Sequence, residues 1–149
     1  MKIMVAYNSR SRASENAMQL AKQHAIAFDA SLHVVTSAER TRSEKDIPHV
    51  EEAEKVLWDV EQRMSRQGIT CRTHLLVQSM SRGEDLVRFA EDNEIDEIFI
   101  GVEKKSRVGK FVMGSLAQYV ILQAPCPVVT VKAEDLGHDI YLGSRSFLE

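Results

Sequence analysis

Residues 97–132, EIFIGVEKKSRVGKFVMGSLAQYVILQAPCPVVTVK, carry the pattern on which the fold turns. Ile98-Phe99-Ile100 is a continuous apolar run, as a strand buried on both faces requires. Gly101 opens a loop with four cations in seven residues, Lys104, Lys105, Arg107 and Lys110, and Gly114-Ser115 closes it. An apolar helix over 111–123, a Pro-Cys-Pro break and a second buried strand, Val128 to Val131, complete a βαβ unit. A glycine ending a strand lets the backbone approach a ligand, and the helix behind it offers N–H groups and a positive dipole end. The loop reads either as an anion site or as a solvated basic turn, and these residues alone leave both open.

Upstream, the same alternation repeats. Ile3 to Tyr7 predicts a first buried strand, and Ala13, Ala17, Leu20, Ala21, Ala25 and Phe28 recur at helical spacing. Those alanines make a slim helix face that lies close to a sheet. Leu32 to Val35 predicts the second strand, and the charged tract from Ser37 to His49 lacks periodicity and reads as a loop. Val50, Ala53, Leu57, Val60 and Met64 predict a second helix, with Gly68 as its C-terminal glycine and Trp58 flanking the stripe. Cys71 to Val77 alternates in part, as an edge strand does. Ser81 and Glu84 have capping-box spacing, so a third helix starts there and runs to Asn93, before a fourth strand over Ile95 to Ile100. Strict βα alternation with short crossovers predicts an α/β fold: a mainly parallel sheet of five strands, covered on both faces.

The totals exclude several classes. One domain suits 149 residues, and a net charge of −3 carries no basic excess for a nucleic-acid partner. Two cysteines, Cys71 and Cys126, without CxxC or Cys/His spacing, predict reduced thiols rather than a disulfide or zinc scaffold. The first residues already read as a strand, and no apolar run approaches a membrane span. The expectation is a cytoplasmic protein without a membrane partner.

Gly109-Lys110 invites comparison with a nucleoside-triphosphate loop, but seven residues separate it from Gly101 instead of four. Phe111 also stands where a magnesium-binding hydroxyl is required. The five histidines, 24, 33, 49, 74 and 138, fall on separate elements, and His24 and His33 read as packed groups. No nucleophile, base and acid assemble into a catalytic set, so no catalytic residue and no metal site are expected. The loop after the first strand, Asn8 to Ser14, lies at the same sheet end as the 101–115 loop, and a ligand belongs where crossovers diverge. Asn8, Ser9 and Ser11 have helix capping as their other role.

The chain resembles the universal stress protein family, whose nucleotide-binding members carry Gly-x2-Gly-x9-Gly-Ser/Thr after the fourth strand. Gly101 takes the first position and Gly114-Ser115 the last. Val5-Ala6-Tyr7-Asn8-Ser9, Leu32 to Val35 and Ala124-Pro125-Cys126-Pro127-Val128-Val129 extend the likeness. The resemblance implies a domain over residues 1–132, with 133–149 as a loosely ordered or docked tail. It implies an open five-stranded parallel sheet in the order 3-2-1-4-5, of the adenine nucleotide alpha hydrolase-like kind, and Cys71 and Cys126 on opposite edges. It also implies homodimers paired through the edge of the fifth strand.

Carried over position by position, Ala6 and Val34 would line the base and Asn8 the ribose. Gly101, Lys104, Arg107, Gly114 and Ser115 would hold the phosphates. Lys104 replaces the family's second glycine, where its side chain either crowds a backbone contact or meets phosphate directly; Asn8 replaces an aspartate. The implied function is regulatory binding of ATP, with Mg²⁺, or a related adenine nucleotide, without enzymatic turnover. The alternative is a nucleotide-free dimer whose basic 104–110 loop contacts an acidic protein partner.

Overall fold

The computed structural model describes residues 1–38, 47–77, 79–103 and 113–134. In chain order the elements are β1 (Lys2–Ala6), α1 (Arg12–Phe28), β2 (Ser31–Ala38), α2 (Ile47–Arg66), β3 (Cys71–Val77), α3 (Arg82–Asp92), β4 (Glu97–Val102), α4 (Ser115–Gln123) and β5 (Val128–Lys132). The sheet order is β3-β2-β1-β4-β5, and every pairing is parallel. This is the order anticipated above.

Two apolar layers flank the sheet. On one side Ile3, Val5, Leu32, Val34 and Phe99 pack against the alanines of α1 and against Leu57, Val60 and Met64 of α2. On the other, Met4, Val35, Ile98 and Ile100 pack against Leu86 and Ala90 of α3 and Ala117 and Val120 of α4. Ile3, Met4 and Val5 of the central strand are wholly excluded from solvent, which explains their unbroken apolar run.

Helix ends follow their local chemistry. Ser11 caps α1, accepting from the Ser14 amide at 3.1 Å. Ser81 caps α3 with the reciprocal Glu84 contact that the spacing predicted. Gly68 adopts φ 74° just past α2, where a side chain would be strained.

Three boundaries differ from the sequence reading. β2 continues to Ala38, because Ser37 and Ala38 still pair with Leu76 and Val77 of β3. α2 begins at Ile47, so the loop reading of Ser37 to His49 fails at both ends. α4 begins at Ser115 rather than at 111, because Gly114 is extended (φ −66°, ψ 156°) and serves as the N-cap. Residues 111 and 112 lie outside the described residues, as do 39–46, 104–110 and the tail from 135.

Trp58 projects from α2 and is 61% exposed, a flank rather than part of the core. Cys71 on β3 and Cys126 before β5 are free thiols on opposite sides of the sheet. No described helix is long and apolar enough to cross a membrane.

Candidate functional site

β1 sends its chain to α1 on one face of the sheet, and β4 leads towards α4 on the other. Neighbouring parallel strands with opposed crossovers leave a crevice at their C-terminal ends. A cavity of about 300 Å³ occupies that crevice; Ala6, Asn8, Ser11, Ser14, Val35, Ser37, Arg82, Leu86, Ile100, Gly101, Glu103, Gly114, Ser115 and Ala117 are among its walls. Its inner part is apolar (Ala6, Val35, Leu86, Ile100), and its rim carries hydroxyls, an amide, a carboxylate and a guanidinium.

Hydrogen bonds fix the β1–α1 corner. The Asn8 amide donates to Ser14 Oγ at 2.7 Å, and that hydroxyl lies 3.3 Å from the Ala6 carbonyl to which it donates. Ser14 is 4% exposed, so its hydroxyl is an internal strut. The Arg10 amide donates to Asn8 Oδ1 at 3.0 Å, an Asx turn that orients the carboxamide. Ser11 Oγ donates to Glu103 Oε1 at 2.7 Å, joining the start of α1 to the end of β4. Tyr7 donates to Glu15 at 2.7 Å; burial, reinforced by the hydrogen bond to that carboxylate, raises its phenol well above the ordinary range.

Of the residues singled out from the sequence, Ala6, Asn8, Gly101, Gly114 and Ser115 meet around this cavity. Val34 does not. It pairs with Val5, points into the α1/α2 layer and is fully buried, whereas its neighbour Val35 pairs with Ala6 and lines the cavity. Successive strand residues face opposite ways, so a one-residue offset exchanges core wall for cavity wall. Lys104 and Arg107, and the basic loop as a whole, lie outside the described residues.

Gly101 has a role other than the one its place in the loop suggested. A Cβ there would stand 2.5 Å from the Ala13 carbonyl carbon and 2.8 Å from its oxygen, and would also collide with the Ser14 amide nitrogen. All three are backbone atoms of the first turn of α1. The missing side chain is what lets α1 rest on β4.

Sequence reasoning passed over Ser37 and Arg82. Ser37 falls in the tract whose lack of periodicity reads as a loop, and Arg82 lies between the capping-box residues Ser81 and Glu84, which account for the helix start without it. A signal for Arg82 existed: a cation in the first turn of a helix opposes the dipole.

The His33 and His74 rings stack across β2 and β3, Nδ1 to Nε2 at 3.2 Å. Burial lowers both pKa values, reinforced at His33 by the His74 ring, Lys2 and Arg72 and at His74 by Arg72, where Glu61 opposes it. His24 sets its ring edge-on against Phe99 and pairs with Glu97 at 3.2 Å. His24 and His33 are therefore packed groups, as read. Among the described residues, no three His, Cys, Asp or Glu side chains group as a metal site would require.

Fold and crevice together define a doubly wound parallel-sheet protein with an open cavity at the β1/β4 switch point. The family model for the universal stress protein family matches residues 1–132, and the chain belongs to that family. Universal stress protein Slr1230 of Synechocystis is 29% identical over 131 residues; the match covers 88% of this chain but only 42% of that relative. A universal stress protein structure from Archaeoglobus fulgidus superposes with a TM-score of 0.73 at 30% identity, covering 89% of this chain and 93% of that one. Another from the same organism, solved in complex with dAMP, superposes at 0.65 and 28% identity, over 88% and 95% of the two chains. The fold is accordingly the adenine nucleotide alpha hydrolase-like one.

Proposed function

We propose that the β1/β4 crevice binds an adenine nucleotide, ATP included, as a regulatory ligand. The observation that carries this reading is the convergence of Ala6, Asn8, Gly101, Gly114 and Ser115 on one cavity with an apolar floor and a polar rim. About 300 Å³ lies at the lower end of the range for small-ligand sites. The dAMP complex of the A. fulgidus relative supports the ligand class.

In this reading the base lies on Ala6, Val35 and Leu86, and Asn8 meets the ribose. The phosphates lie towards Gly114 and Ser115 at the start of α4, where a helix N-terminus favours negative charge. Mg²⁺ would come with a triphosphate; the cavity supplies hydroxyl oxygens and the Glu103 carboxylate, hard donors suited to that ion.

The protein acts through occupancy rather than turnover, in a cytoplasmic homodimer joined along the β5 edge of the sheet. Acid extraction of freshly purified protein followed by chromatography, together with thermal shifts on ATP-Mg²⁺ titration, tests the ligand. No extracted nucleotide and no shift at millimolar ATP-Mg²⁺ would overturn it. Phosphate release above a protein-free blank would overturn the non-enzymatic part. A monomeric mass by light scattering would remove the dimer.

A further inference from the structure

A second cavity, of about 370 Å³, adjoins the first on the α2 side of the β1 and β2 ends. Tyr7, Asn8, Ser37 and Arg82 line both, so they stand at the neck between them. Two polar atoms there are unusual. Arg82 Nε and Ser37 Oγ are each buried without a hydrogen-bond partner.

Nor does Arg82 form an ion pair with any of the described residues. Among the described residues, the ion pairs are Arg10–Glu52 and His24–Glu97. The two acids nearest along α3 are committed elsewhere. Asp85 accepts from the Ser79 amide at 2.9 Å and the Ser79 hydroxyl at 2.7 Å, and Glu84 accepts from the Ser81 amide at 3.1 Å. A guanidinium at the first position of α3 is opposed by the helix dipole as well. Folding alone gives no reason to hold a cation there, and an unsatisfied buried group calls for another explanation.

Position supplies one. Ser37 is two residues beyond Val35 on the same face of β2, and Arg82 is one turn before Leu86 on α3. Val35 and Leu86 form the apolar wall, so Ser37 and Arg82 stand at its outer edge. A flat ring resting on that wall would present its edge to both.

We infer that Arg82 and Ser37 form a base-reading pair, Arg82 donating to an acceptor on the edge of the bound base and Ser37 supporting it. This rests on nucleotide occupancy of the crevice. The recognised chemistry is a heteroaromatic edge bearing a ring nitrogen or carbonyl oxygen. A hydrogen bond from a charged donor is among the stronger ones, and its loss reads as about tenfold in affinity.

The test is calorimetric titration of the full chain and of Arg82→Met and Ser37→Ala with AMP, ATP and ribose 5-phosphate. Arg82→Met is expected to weaken AMP and ATP by the same factor, about tenfold, and to leave ribose 5-phosphate unchanged; Ser37→Ala weakens both nucleotides less. Because Arg82 Nε has no hydrogen-bond partner and the guanidinium forms no ion pair among the described residues, the unliganded melting temperature of Arg82→Met should equal or exceed that of the parent. Unchanged nucleotide affinity in Arg82→Met would overturn the inference. So would a larger loss for ATP than AMP accompanied by weaker ribose 5-phosphate binding, which would place the guanidinium on phosphate. A lowered melting temperature would mean a structural partner holds Arg82. If the unaltered protein binds none of the three compounds, the nucleotide reading itself fails, and this inference with it.

Discussion

Gly101→Ala separates packing from ligand binding at the loop's first glycine. The added Cβ would lie 2.5 Å from the Ala13 carbonyl carbon. Ordinary carbon contacts fall at about 3.5–4.0 Å, so α1 and β4 must part by about 1 Å. The obstructing atoms are backbone, and no rotamer change relieves them. α1 cannot tilt away cheaply, since it buries Ala13, Ser14, Ala17, Met18, Ala21 and Ala25. Over-packing of this kind costs about 1–3 kcal/mol, and a collision with backbone belongs at the upper end, about 3 kcal/mol. For a chain of this size, that lowers the melting temperature by about 6–12 °C. Urea unfolding followed by circular dichroism reads the change directly, as a lower midpoint at an unchanged slope. Stability within about 0.5 kcal/mol of the parent, with nucleotide binding lost, would refute the reasoning and return Gly101 to a ligand-contact role.

Three further outcomes follow from groups near or beyond the crevice. The lowered His33 and His74 pKa values mean that the unfolded chain binds more protons below about pH 6.5. The stability of the neutral pair is complete above that pH and is lost as pH falls through the lowered values; Lys2 and Arg72 add to the effect at His33, while Glu61 opposes Arg72 at His74. Urea midpoints measured from pH 7.5 to 5 should fall, and His74→Gln should flatten the slope; an equally steep slope would refute the assignment. Burial, with Glu61 nearby, pushes the Cys71 thiol up to about 12, and burial raises Cys126 too. Cys71 should react with a disulfide reagent at pH 8 about a hundredfold more slowly in the native protein than after unfolding, and Cys126 more slowly too; comparable rates would contradict this. Glu103→Gln should tighten metal-free ATP about threefold to tenfold, and AMP less, because it removes a like charge near the phosphates. Equal affinities in the two proteins would put the phosphates elsewhere.

Much of this architecture was legible because β1 and β4 are apolar on both faces and the alanines of α1 recur at helical spacing. The same uniformity hid the site's finer detail. Leu32, Val34 and Val35 are alike apolar, so the run does not mark which of the two valines faces α1 and which faces the crevice. Only the parallel register, Val5 with Val34 and Ala6 with Val35, decides that Val35 is the cavity wall. Gly101 posed the converse problem. Its place in a glycine-spaced loop suggested ligand approach, while its close neighbour, the Ala13–Ser14 backbone, is nearly ninety residues away in the chain. Arg82 was obscured by a correct inference, since the capping box explained its neighbours without asking what the guanidinium itself met.

The Ser14 hydroxyl gives this crevice a mechanical property. It holds the Asn8 amide and faces the Ala6 carbonyl from inside the first turn of α1, while Ser11 in the preceding cap reaches Glu103. A ligand drawing on Asn8 or Glu103 therefore pulls on a helix that spans the sheet face, including its contact with β5. Amide hydrogen exchange over residues 12–16, of which Ser14 lines the cavity, thereby becomes a gauge of occupancy read from the helix.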